Sequence, residues 1–260
     1  MAATDRRRPG NRERLLGGAR LRPERLGRPL ERVRHVKAGY VKRFSPVERL
    51  LHWVNALGFF FLLVTGLILY LPSLSELVSR RQTVQGLHFW AGVGWLGVLA
   101  AVVLLGGRRL LATAREVERF DSDDLRWLRG RKAPQGRFNA GQKINAILTA
   151  AFTILFGVSG LLLWFGEQDT RFRFASTVIL HDGLMYVSLA LLVGHLYLAL
   201  IHPATRHALR GMTLGDVRVE WAVKHHPKWQ PEGVRVDWPR TRHHAPWKPE
   251  LADADRSRRR

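Results

Sequence analysis

The chain has 260 residues, is 46% hydrophobic, and carries a formal charge of +21 with no cysteine at all. Without cysteine there can be no disulfide, no thiolate zinc site and no iron–sulfur cluster held by this chain, so any iron must be bound through nitrogen or oxygen. The cationic excess invites a nucleic-acid reading, but it lies beside apolar stretches, as membrane insertion requires, and no base-reading module accompanies it.

In chain order, residues 1–40 are rich in Arg, Pro and Gly and have few apolar positions. Such a segment cannot bury a core and is expected to be disordered or to lie on anionic lipid headgroups. Arg6, Arg7 and Arg8 are followed by Pro9 and Gly10, not by an apolar stretch, so no cleavable signal is expected and the first apolar helix serves as the anchor. Residues 41–230 then hold four apolar stretches, at 47–71, 84–105, 144–165 and 177–201. Each is long enough to cross a hydrocarbon core of ~30 Å as a helix. Pro72 closes the first, Gly106 and Gly107 end the second, and His202 with Pro203 ends the fourth. Residues 231–260 form a polar, basic tail expected to behave like the N-terminal extension.

Four spans put both termini on one side. Lys and Arg number 36 in the N-terminal segment, the middle loop and the C-terminal segment, against four in the two short loops. The positive-inside bias therefore places both termini and the middle loop in the cytoplasm. The fold expected is all-α, an integral membrane four-helix bundle.

Ionisable groups at membrane depth default to a functional reading. Of the eleven histidines, His52 lies near the start of the first span, His88 near the start of the second, and His181 and His195 at the two ends of the fourth. With alternating span direction, His52 and His195 fall near the cytoplasmic face and His88 and His181 near the outer one. The 14 residues from His181 to His195 span roughly 21 Å and fall about 40° short of four whole turns, so both share a helix face. Two stacked hemes with saturated irons need this arrangement: one helix with two histidines, and an opposing histidine at each level. A lone histidine near a helix end can equally be interfacial, and His202 and His207 are read that way. His35, His225 and His226 lie in polar segments and are expected to be solvated. Gly58, Gly66, Gly92, Gly157, Gly160 and Gly194 give room for a flat macrocycle, but they also suit plain helix packing. Trp53, Trp90, Trp95 and Trp164 are read as interfacial or packing residues.

The segments LLHW around His52, GLHFWAG around His88, GRFNAGQKINA at 136–146, ILHDG and GHLYLAL within 179–200, and WAVKHHPKW at 221–229 resemble the cytochrome b (gamma) subunit of membrane-bound respiratory formate dehydrogenases, within the wider diheme cytochrome b anchors. The resemblance covers about residues 40–230. It implies two heme b groups, with His88 and His181 on the outer and His52 and His195 on the inner one. It also implies a quinone, menaquinone or ubiquinone, held near the cytoplasmic face by Asn139, Gly141 and Gln142, although Asn139 could simply cap a helix. The implied partners are a periplasmic iron–sulfur beta subunit and a molybdenum or tungsten alpha subunit that oxidises formate, so the chain alone does nothing to formate. Asp182 beside His181, and the basic N-terminal extension, depart from the family's pattern. The expected protein is thus a diheme cytochrome b of the bacterial inner membrane that passes electrons inward to quinone. A hydrogenase or other periplasmic partner, or a heme-free anchor or transporter, remains open at this level.

Overall fold

The computed structural model describes residues 39–229, and both terminal extensions lie outside that range. A short strand, β1 (Tyr40–Lys42), leads into helix α1 (Pro46–Tyr70). Ser45 and Glu48 start α1 with a reciprocal capping box, the Ser45 amide donating to Glu48 Oε2 at 2.7 Å, and Pro46 supplies a preset φ where no amide proton is needed. The helix stops because Leu71 precedes a proline and turns extended, at φ −91 and ψ 118. One turn, α2 (Pro72–Ser75), connects it to α3 (Arg81–Glu118).

Helix α3 runs past the end expected at Gly106 and Gly107. At Gly107 the backbone takes φ 43 and ψ −124, a break within the helix, and the helical course then resumes to Glu118. Positive φ at that point calls for glycine. Helix α4 (Ser122–Leu128) and helix α5 (Ala140–Gln168) each begin with a capping box, from Asp121 with Asp124 and from Asn139 with Gln142. Helix α6 (Ala175–Leu196) extends through a π turn at Tyr197–Ile201 and ends before Pro203. Then come α7 (Leu209–Thr213), strand β2 (Asp216–Arg218) and α8 (Val219–His225).

Among the described residues, four helices are long and apolar enough to cross a membrane: Pro46–Tyr70, Arg81–Glu118, Ala140–Gln168 and Ala175–Ile201. Their outward faces are apolar, with Leu57 67% and Ile179 72% exposed, a surface suited to lipid and not to water. Helix α1 packs on α3, α3 on α5, and α5 on α6. Glycines permit the close approaches: a Cβ at Gly58 would lie inside the Trp95 indole, and one at Gly157 would be 2.8 Å from Leu96 Cδ1. Trp95 is therefore an interior packing residue.

The two strands were not anticipated from the sequence. β1 pairs antiparallel with β2, Val41 opposite Val217. Both valines are buried against Val219, Trp221 and Ala222, forming a small core at the end of the bundle where α1 begins. The C-terminal part of the described chain is thereby fastened to the lead-in of α1.

Candidate functional site

The bundle brings the four membrane-depth histidines together in two pairs. His52 on α1 faces His195 on α6 with ring centroids 6.2 Å apart, and His88 on α3 faces His181 on α6 at 6.5 Å. A metal–imidazole bond is about 2 Å, and a ring nitrogen sits about 1.1 Å from its centroid, so two imidazoles on opposite sides of one metal stand roughly 6 Å apart. Both gaps have that size. Between His88 and His181 lies a cavity of about 500 Å³ whose walls include Phe59, Gly66, Phe156 and Gly160. It is apolar in the middle, while Arg81, Gln85, Glu167 and Arg173 stand at one end, an arrangement suited to an amphipathic macrocycle with charged edges.

The second ring nitrogens differ between the pairs. His88 Nδ1 is 2.8 Å from Thr65 Oγ1, and His181 Nδ1 is 2.8 Å from Ser159 Oγ. His52 Nδ1 is buried with no hydrogen-bond partner among the described residues. Asp182, next to His181, lines the same cavity.

Asn139, Gly141 and Gln142 sit at the start of α5. Asn139 Oδ1 accepts from the Gln142 amide at 2.8 Å, and Gln142 Oε1 accepts from the Asn139 amide at 3.1 Å and from Arg43 Nη2 at 3.2 Å. The two acceptor oxygens thus close a capping box, while both side-chain NH2 groups are uncommitted donors among the described residues. Gly141 lies under Trp127, where a Cβ would come within 3.1 Å of the ring.

Beside this motif the structure holds a half-buried ionic network that sequence reading did not single out. Arg137 donates to Glu48 Oε1 and to Glu116 Oε2, each at 2.8 Å, and Thr113 Oγ1 donates to Glu48 Oε1 at 2.6 Å. Burial alone would lower the Arg137 pKa, but its hydrogen bonds to Glu116 and Glu48 outweigh that and raise it. Arg43 is 3% exposed and donates to the Arg137 carbonyl at 2.7 Å. Burial, together with the neighbouring Arg137 charge, lowers its pKa to about 9. In the sequence these residues look like any of the flanking cations; only their partners distinguish them.

The expectation that His226 is solvated is wrong. The ring is 2% exposed, and its Nδ1 donates to the Gly136 carbonyl at 2.6 Å. Apolar neighbours Trp221 and Ala222 on one helical turn draw it inside. His225 is half-buried, stacked on Trp221, and His35 lies outside the described residues. His202 is half-buried and His207 exposed, past the end of α6. Burial, with the Arg43 charge second, pushes the His226 pKa down to about 3. The unfolded chain therefore binds a proton at His226 below its ordinary value near 6.5 while the folded chain does not, so stability is full above pH 6.5 and is lost as pH falls toward 3. At pH 5 the loss should approach about 2 kcal/mol. Protection factors for hydrogen exchange across residues 219–229, taken relative to the intrinsic exchange rate at each pH, are expected to fall between pH 6.5 and 5, and His226→Asn should abolish that pH dependence.

Residues 43–215 match the family described as prokaryotic cytochrome b561. The chain belongs to that family. The matched segment contains all four paired histidines, and the family implies b-type heme, which the imidazole spacing and the cavity fit. This prokaryotic cytochrome b561 is 26% identical over 210 residues to the formate dehydrogenase cytochrome b556 subunit of Haemophilus influenzae, covering 74% of this chain and 83% of that one. It is 28% identical over 208 residues to the formate dehydrogenase cytochrome b556(fdo) subunit of Escherichia coli K12, covering 74% and 92%. With the nitrate-inducible cytochrome b556(Fdn) subunit of the same strain it shares 25% identity over 218 residues, covering 75% and 93%.

Proposed function

We propose that this cytochrome is the membrane-anchor subunit of a formate dehydrogenase in the bacterial inner membrane, with two heme b groups, conveying electrons from a periplasmic iron–sulfur subunit to a quinone. The observation that carries the reading is the pair of imidazole gaps, 6.2 and 6.5 Å, at opposite ends of α6. His88 with His181 would hold one heme and His52 with His195 the other. When bound, these groups would supply one-electron carriers at two depths. The chain's own part is to set their positions, and by offering an imidazole from each side of each gap it would favour electron transfer over oxygen chemistry.

Orientation follows from charge. Lys and Arg concentrate in the segments before α1, between α3 and α5, and after α6, which supports a cytoplasmic placement for both termini and for the His52–His195 end. At that end the free amide donors of Asn139 and Gln142 could hydrogen-bond the carbonyl of a menaquinone or ubiquinone, with Gly141 between them. The similarity to formate dehydrogenase cytochrome b556 subunits, over 74% of the chain, supports an iron–sulfur beta subunit and a molybdenum or tungsten alpha subunit as partners.

A reduced-minus-oxidised visible spectrum and a pyridine hemochrome assay of the purified chain test the cofactor part, and two b-type hemes per chain are expected. No heme would overturn it and leave a four-helix anchor or transporter. The complex purified through this chain should reduce quinone with formate; hydrogen-dependent reduction without formate activity would replace the partner with a hydrogenase.

A further inference from the structure

The two halves of the bundle repeat one short device. Residues 64–69 read VTGLIL and lie in α1, and residues 158–163 read VSGLLL and lie in α5. In each, the hydroxyl meets the Nδ1 of a histidine on the next long helix at 2.8 Å, Thr65 with His88 and Ser159 with His181. In each, the following glycine faces the same ring: a Cβ at Gly66 would come within 3.4 Å of His88 Cε1, and one at Gly160 within 3.7 Å of His181 Cε1.

The hydroxyl protons decide which way these bonds point. Thr65 Oγ1 donates to the Phe61 carbonyl at 3.0 Å, and Ser159 Oγ donates to the Leu155 carbonyl at 2.7 Å. A hydroxyl has one proton and two lone pairs. With the proton turned to its own helix, only a lone pair faces the imidazole, so Nδ1–H is the donor and Nε2 of each ring keeps its lone pair. A histidine fixed in that way presents Nε2 to a metal in a single orientation and is a more basic ligand. Among the described residues, neither His52 nor His195 has a side-chain partner of this kind.

We propose that Thr65 and Ser159 are positioning residues for the His88–His181 heme alone, fixing both rings in the Nδ1–H tautomer and lowering the reduction potential of that heme. The inference rests on the heme reading above. More basic ligands stabilise ferric over ferrous iron, which gives the sign.

The test is a redox titration of the purified full chain, followed by its visible spectrum, for Thr65→Val, Ser159→Ala and the double variant. One of two midpoints should move to more positive potential, further in the double variant, while the other stays in place. Thr65→Ser should return it. Should the double variant shed heme, loss of one heme with the other retained and recovery by Thr65→Ser supports the same assignment. Two hemes at full occupancy with neither midpoint moved, or both moved equally, overturn this inference and leave the function standing. A chain without heme overturns both.

Discussion

His181→Ala and His195→Ala are each expected to halve the heme content of the purified chain, each by removing a different heme. Each ring supplies one of two opposed imidazoles across a gap of the size that a metal with two axial nitrogens requires. Truncation removes one of the two facing imidazoles and widens the apolar space, so a heme would be held from one side only. Because the effect belongs to a pair and not to a residue, the double variants discriminate pairing from mere proximity. His88→Ala with His181→Ala should still bind one heme, since both changes fall on the same site, whereas His88→Ala with His52→Ala should bind none. Pyridine hemochrome stoichiometry reads both, and one heme remaining in the second double variant would refute the pairing.

Arg137→Met is expected to destabilise the folded chain by about 2–3 kcal/mol, below the cost of stripping one partner from a fully buried ion pair because the network is partly exposed. Arg137 joins three parts of the molecule: Glu48 in the first turn of α1, Thr113 and Glu116 near the end of α3, and the Arg43 carbonyl before α1, which it reaches at 3.2 Å. Glu48 has a side chain only 8% exposed, so removal of the guanidinium leaves its carboxylate without a counter-charge, held only by the Ser45 and Thr113 donors. The planar fork engages partners on two sides, and a lysine cannot reproduce that, so Arg137→Lys should recover only part of the loss. Thermal unfolding in detergent measures each step. Glu48→Gln combined with Arg137→Met should cost clearly less than the sum of the two, and strict additivity would show that the pair is not coupled.

What the sequence carried by itself is local and periodic. Hydropathy located four spans, to within a few residues of the helix ends except at the end of the second, because an unbroken apolar run of that length has no other stable form in a bilayer. The end of the second span was only half legible: two glycines did mark the break at Gly107, but not that the helix resumes to Glu118. Counting residues along α6 put His181 and His195 on one face, since the helical repeat is fixed by backbone geometry. Alternating span direction gave the partners at each level, and the structure brings those same rings together.

The rest depended on which side chains meet from distant parts of the chain. The pairing of β1 with β2, the burial of His226 beneath Gly136, and the Arg137 network join segments rich in polar and basic residues with only scattered apolar ones. Composition there signals solvent, whereas burial is decided by partners. Thr65 and Ser159 likewise look like ordinary small polar residues within apolar helices. Helix periodicity determines the face a residue occupies, but only the packing of α1 on α3 and α5 on α6 decides that each hydroxyl meets an imidazole nitrogen.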